Sequence, residues 1–225
     1  MLHQCIAACQ IVQMKYQWQD HRQVKNNMNC CYSEKLVNKL LRLNEKANSK
    51  IDIIGVKRAI YFAKKYHGDQ KRNSGEPYYS HPLEVACMVA DYLFRTDIII
   101  TAILHDTIED TALTQETIAD IFGEQIASQV EDLTRVKSSG KISSAKMLEL
   151  LYQQRKYDIL LIKLFDRLHN MQTIGAKSPE KIEKIIAETL ISFISFAVHF
   201  EIPELKQHLT ELCYQGLAVT QLNQN

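Results

Sequence analysis

At 225 residues the chain is long enough for one well-filled domain and leaves little room for a second. It is 46% hydrophobic and 24% charged with only seven glycines and four prolines, a poverty of turn formers that points to helices. Lys+Arg of 27 against Asp+Glu of 26 leaves a net charge of +1, which argues against a nucleic-acid or anionic-membrane partner and makes any anion site a local one.

Residues 1–32 are rich in Gln, Asn, Met and Cys, without a convincing helical pattern, and read as an N-terminal extension; Met28 would serve as a start as well as Met1. The stretch Ile6 to Val12 is short, broken by Gln10 and preceded by no basic region, so a signal peptide is not expected. No apolar run reaches the roughly 20 residues of a bilayer span. The cysteines Cys5, Cys9, Cys30, Cys31, Cys87 and Cys213 lack framework spacing, which fits reduced thiols and a cytoplasmic protein. A zinc site from Cys5, Cys9, Cys30 and Cys31 is conceivable, but adjacent cysteines are poor chelators.

From Ser33 onward every segment reads as helix. The first helix runs to about Asn44, and the second from about Ile51 to His67 with Ile53, Val56, Ile60 and Ala63 on one face. Gly68 to Ser80 forms a polar loop, after which Pro82 suits a first helical turn and that helix reaches about Phe94. Thr96 is expected to cap the next helix, which ends near His105. Shorter helices follow over about Thr114 to Phe122, and from Gly123 to about Arg135. The stretch Lys137-Ser138-Ser139-Gly140-Lys141 reads as an exposed basic loop. Helices then cover about Ser144 to Tyr157 and Asp158 to Thr173. Another begins at Ser178-Pro179, with Ser178 as cap, and the last at Pro203. The fold class is all-α, with a single domain over 33–222.

Three polar islands interrupt this apolar sequence: His81-Pro82, His105-Asp106 and Asp166-Arg167-Leu168-His169-Asn170. The second follows Ile98 to Leu104 and the third follows Ile159 to Phe165, runs apolar almost all round and so expected to be buried. An ionised carboxylate there needs an opposing charge and partners for its lone pairs. Two imidazoles and two carboxylates on one divalent cation would supply both, and a mixed nitrogen and oxygen set with open positions suits manganese, iron or zinc. The bland alternatives are a buried hydrogen-bonded His-Asp pair, an Asp166 salt-bridged to Lys163 or Arg167, and an Asp110 that merely caps the next segment. Crowding of Asp106, Glu109 and Asp110 within six residues of His105 favours the cation, and with it a metal-dependent phosphohydrolase.

With Arg72-Asn73-Ser74-Gly75-Glu76-Pro77-Tyr78, these motifs make residues 50 to 215 resemble the HD-type hydrolase domain of the RelA/SpoT alarmone family. The resemblance implies that His81, His105, Asp106 and Asp166 are ligands of one manganese ion (Mn2+), other divalent transition metals being possible. It implies that Glu109 and Asp110 orient the attacking water and assist proton transfer, and that Arg72, Ser74, Asn170 and Thr173 bind the substrate. The implied reaction removes the 3′-pyrophosphate of guanosine tetra- or pentaphosphate, leaving GDP or GTP. Lys137, Lys141 and Lys177 are candidates for holding the pyrophosphate, each weighed against an ordinary solvated lysine. The chain departs from the family pattern at Asn73, where a lysine is usual, at Phe165, and in a shorter segment between Asp110 and Asp166. Ending at Asn225, soon after Gly216, it resembles a small hydrolase-only member or a truncated long one. Two alternatives remain open: an HD-superfamily enzyme acting on another nucleotide, and a decayed nucleotide-binding remnant. Protein partners and oligomeric state are not indicated.

Overall fold

The computed structural model describes residues 30–134, 136–137 and 140–222. The extension expected over 1–32 and the Cys5–Cys9 zinc possibility therefore lie largely outside the described residues. The described chain is helical, with one two-residue hairpin, and forms two compact units. Among the described residues, one contains 30–68 and Pro82–Thr134; the other contains Asp69–His81 and those beyond Thr134.

In the first unit, α1 (Cys31–Lys46) packs on α2 (Ile53–His67). Asp52 starts α2 by accepting a hydrogen bond from Ile54 N at 2.9 Å. Helix α3 (Ser80–Val89) enters this unit at Pro82 and ends five residues short of the expected Phe94. Lys39 of α1 reaches the Cys87 carbonyl and Asp91, each at 2.6 Å, and Lys35 reaches Glu84 at 2.5 Å.

The centre of this unit is α4 (Thr96–Leu104), in which Ile98 to Leu104 are all buried. Each buried Ile or Leu stabilises the fold by about 1.5–3 kcal/mol. Thr96 is not the cap: Arg95 holds that position, and the Thr96 hydroxyl instead accepts from Asp52 N at 2.9 Å, tying α4 to α2. Close approach of α2 to α4 needs Gly55, where a Cβ would lie 3.3 Å from Ile100 Cδ1 and 2.7 Å from Asp52 Oδ2. After α4 comes a single helical turn, α5 (Thr107–Asp110), that periodicity did not reveal. Then α6 (Gln115–Phe122), capped by Thr114, meets α7 (Glu124–Leu133) at Gly123, whose φ of +94° suits glycine.

In the second unit Lys137 and Lys141 of the basic stretch lie on two minimal strands, β1 (Val136–Lys137) paired antiparallel with β2 (Gly140–Lys141). Helix α8 (Ser144–Gln153) packs on α9 (Tyr157–Gln172), which in turn packs on α12 (Pro203–Leu222). Ser178 occupies the cap position of α10 (Pro179–Glu188), but its hydroxyl makes no cap hydrogen bond. A π-turn, Thr189–Phe193, leads into α11 (Ile194–His199). The Arg167 side chain explains it. Its Nη1 donates to Thr189 Oγ1 at 3.2 Å, its Nη2 pairs with Glu188, and its Cζ lies 4.0 Å from the Phe193 ring centroid. A guanidinium inserted at the helix ladder accommodates a wider turn. Among the described residues, no helix is long and apolar enough to cross a membrane.

Candidate functional site

The loop 70–78 is closed by its own backbone. Arg72 N donates to Glu76 O at 2.9 Å, Gly75 N to Arg72 O at 2.9 Å, and Tyr78 N to Gln70 O at 2.8 Å. Gly75 sits at φ +95°, a conformation that L side chains resist, and Ser74 Oγ donates to Glu76 Oε2 at 2.8 Å. This tight loop presents the Arg72 side chain to the end of α9. There Arg72 Nη2 donates to Asn170 Oδ1 at 2.9 Å and to Thr173 Oγ1 at 3.3 Å. Its Cζ lies 6.0 Å from the Tyr78 ring centroid.

Around these groups lies a cavity of about 160 Å³ lined by Lys71, Arg72, Asn73, Ser74, Tyr78, Asn170, Thr173 and Lys177. The lining holds three cations, hydroxyls and amides, but no carboxylate, and so suits an anion. All four residues expected to bind substrate, Arg72, Ser74, Asn170 and Thr173, line it. Burial, and then the positive charges of Arg72 and Lys181, hold the Lys177 ammonium below the usual lysine pKa.

One turn into α9 from this cavity, Asp166 is buried at 5% exposure. Its Oδ1 accepts from Asn170 Nδ2 at 2.6 Å and faces His81 Nε2 at 3.0 Å; its Oδ2 meets Lys163 Nζ at 2.6 Å. Of the two salt-bridge partners weighed for Asp166, Lys163 takes the role, while Arg167 turns to Glu188. His81 Nδ1 lies 2.9 Å from His169 Nδ1, so a single proton is shared on that side and the opposite nitrogen faces the carboxylate. His169, three residues after Asp166 on α9, was in the recognised island, but its contact with His81 was not foreseen. Sequence reasoning also missed Tyr78 and Lys71 as cavity walls.

In the first unit, His105 Nδ1 lies 2.8 Å from the Ala102 carbonyl, which can only accept. The Nδ1 proton therefore points to that carbonyl, and Nε2 faces Asp106 Oδ1 at 3.1 Å. Two acceptors at that distance repel unless a proton or a cation lies between them. A neutral imidazole oriented by a carbonyl, beside a carboxylate, is the donor chemistry of a divalent metal ligand pair. His105 and Asp106 thus fit a metal ion. Helix α5 is anchored under this pair by Thr107 Oγ1, which donates to Leu104 O at 2.7 Å. Asp110 N donates to Asp106 O at 2.9 Å, leaving Glu109 half-buried and Asp110 exposed. The next helix is capped by Thr114, not Asp110.

A family model described as HD domain matches residues 59–200. A GTP pyrophosphokinase rsh of Brucella ovis is 40% identical over 164 residues, covering 70% of this chain and 22% of that protein. A guanosine-3′,5′-bis(diphosphate) 3′-pyrophosphohydrolase of Aquifex aeolicus is 38% identical over 165 residues, covering 72% of this chain and 24% of the relative. The bifunctional (p)ppGpp synthase/hydrolase SpoT of Escherichia coli K12 is 34% identical over 170 residues, with the same coverage. The chain thus spans less than a quarter of the length of these relatives. A solved structure of a metazoan ortholog of SpoT, described as hydrolysing ppGpp, shares the fold. It has a TM-score of 0.59 at 19% identity, covering 75% of this chain and 98% of that one.

Proposed function

Since the chain belongs to the HD-domain family, we propose that it is a metal-dependent hydrolase that removes pyrophosphate from the 3′ position of guanosine tetra- or pentaphosphate. The observation that carries this reading is the place of Asn170. Its Oδ1 takes the Arg72 guanidinium at 2.9 Å, at the cationic cavity, and its Nδ2 holds the Asp166 carboxylate at 2.6 Å. One side chain thereby joins an anion-binding cavity to a buried His-Asp pair of metal-ligand type. The names of the Aquifex and Escherichia relatives support the choice of nucleotide.

In this proposal His81, His105, Asp106 and Asp166 hold one divalent cation, for which manganese is the first candidate. When bound, such an ion neutralises phosphoryl oxygens and makes water a ready source of hydroxide near neutral pH. Glu109 and Asp110, carried on α5 directly after Asp106, orient the attacking water and accept its proton. Arg72 offers a planar cation to the purine or its phosphates. Ser74, Asn170 and Thr173 supply hydroxyl and amide partners for the ribose and phosphates. The hydrolase domain so proposed runs over 33–222, and the cytoplasm is its expected setting.

The test is release of pyrophosphate from guanosine tetraphosphate, with manganese and with chelator, by the parent chain and by Asp106→Ala. Manganese-dependent release that chelator and the substitution each abolish is the expected result. No release from the folded, metal-loaded parent would refute the proposal.

A further inference from the structure

Lys177 is one of three lysines that the sequence offers for pyrophosphate, and the fold brings it to the cavity by a short device. The 3-10 turn Ile174–Ala176 follows α9, with Ala176 N donating to Thr173 O at 3.3 Å and Lys177 N to Ile174 O at 3.0 Å. That turn folds the chain back beside Thr173, and Lys177 lines the cavity together with Lys71 and Arg72 of the loop. Its side chain is half-buried, whereas Lys141 on β2 is exposed and absent from the lining. Withdrawing an ammonium from water and setting it near a guanidinium is unfavourable in both respects, and burial is the larger cause of the lowered Lys177 pKa. No carboxylate lines the cavity to offset that cost. An anionic ligand would offset it.

We infer that Lys177 is a substrate-binding residue, its Nζ acting with the Arg72 guanidinium to hold a phosphate or pyrophosphate group in this cavity. The identity of the whole nucleotide rests on the function proposed above; the affinity for pyrophosphate rests on the cavity alone. Asn73 lines the same cavity, is exposed and carries no charge. A cation placed there would serve the same anion.

The experiment is calorimetric titration of the full chain with inorganic pyrophosphate. It compares the parent, Lys177→Met, Lys177→Arg, Lys177→Met with Asn73→Lys, and Lys206→Met, a control at an exposed position on α12. Loss of one charge-assisted contact weakens binding by about tenfold or more. Lys177→Met is expected to show that loss, Lys177→Arg and Lys206→Met to stay near the parent, and Asn73→Lys to recover most of it. An affinity of Lys177→Met within about twofold of the parent, or a parent that does not bind pyrophosphate, overturns the assignment. So does a loss that neither Arg at 177 nor Lys at 73 repairs, since that marks a structural role. Hydrolysis of guanosine tetraphosphate, measured in parallel, judges the proposed function separately. A parent that binds pyrophosphate through Lys177 but cleaves nothing leaves this assignment standing and removes the other.

Discussion

Asn170→Ala removes two hydrogen bonds at once, to Arg72 Nη2 at 2.9 Å and to Asp166 Oδ1 at 2.6 Å. Both partners are charged, and hydrogen bonds to charged groups contribute about 1.5–3 kcal/mol each. The losses are not total. Arg72 keeps Thr173 Oγ1 at 3.3 Å, and Asp166 keeps Lys163 at 2.6 Å and His81 at 3.0 Å. The net cost to transition-state stabilisation is therefore about one such bond, a fall in kcat/KM of about 10- to 150-fold. The fold should survive, because Asn170 is only half-buried near the end of α9, and urea unfolding should move by no more than the about 1.5–3 kcal/mol of one such bond. If Asn170 acts by fixing Arg72, the pair is coupled, and Asn170→Ala with Arg72→Ala loses less than the two singles combined, by about 1–2 kcal/mol. Steady-state kinetics on the four members of that cycle checks it. A single variant that keeps its kcat/KM within about threefold of the parent, or strictly additive losses, would refute the reasoning.

Three further outcomes follow from the fold. Ile103→Ala in α4, at a position with no exposure, is expected to cost about 2–5 kcal/mol in denaturant unfolding, whereas a loss below about 1 kcal/mol would contradict a tightly packed α4. In peptide-mapped alkylation at pH 8, exposed Cys31 should react readily while Cys87 resists, since burial and then the Glu84 charge push the Cys87 thiol up to about 11; equal rates at the two would rule this out. Burial raises the Asp97 pKa, but hydrogen bonds from Arg95 and Gln129 and the Arg95 charge outweigh it, leaving the carboxyl below its ordinary value. The unfolded chain then takes up that proton first, so the Asp97 contribution is present above the unfolded value and lost as pH falls through the folded one. Asp97→Asn should accordingly flatten the decline of stability below pH about 4, and an unchanged slope in acid would show that the network carries no such linkage.

The helices were legible because their signals are local. Thr114 marks a helix start and Gly123 a stop, and the apolar runs before His105 and Asp166 are buried, Leu161 apart, as their lack of a polar face implied. The one-turn α5 carries too few residues to show a period, and the π-turn at Thr189–Phe193 depends on a guanidinium from another helix. Neither has a local signature. The same distinction divides the site. His105, Asp106 and Asp166 stand out because a polar group inside an apolar helix is costly unless something compensates it, and that cost is visible in the sequence itself. Arg72 and Asn170 are 98 residues apart, and His81 and His169 are 88 apart, so each pairing exists only once the chain has folded. Lys177 is the limiting case. A lysine beside a helix start signals nothing unusual, and spacing alone could not choose it over Lys141. What distinguishes it is lost hydration and a neighbouring guanidinium, both properties of the folded cavity and neither of the residue. A functional group that conflicts with its local sequence can be found by reading that sequence. One whose conflict is created by tertiary structure becomes visible only in the folded chain, and a ligand is then the natural means of relieving it.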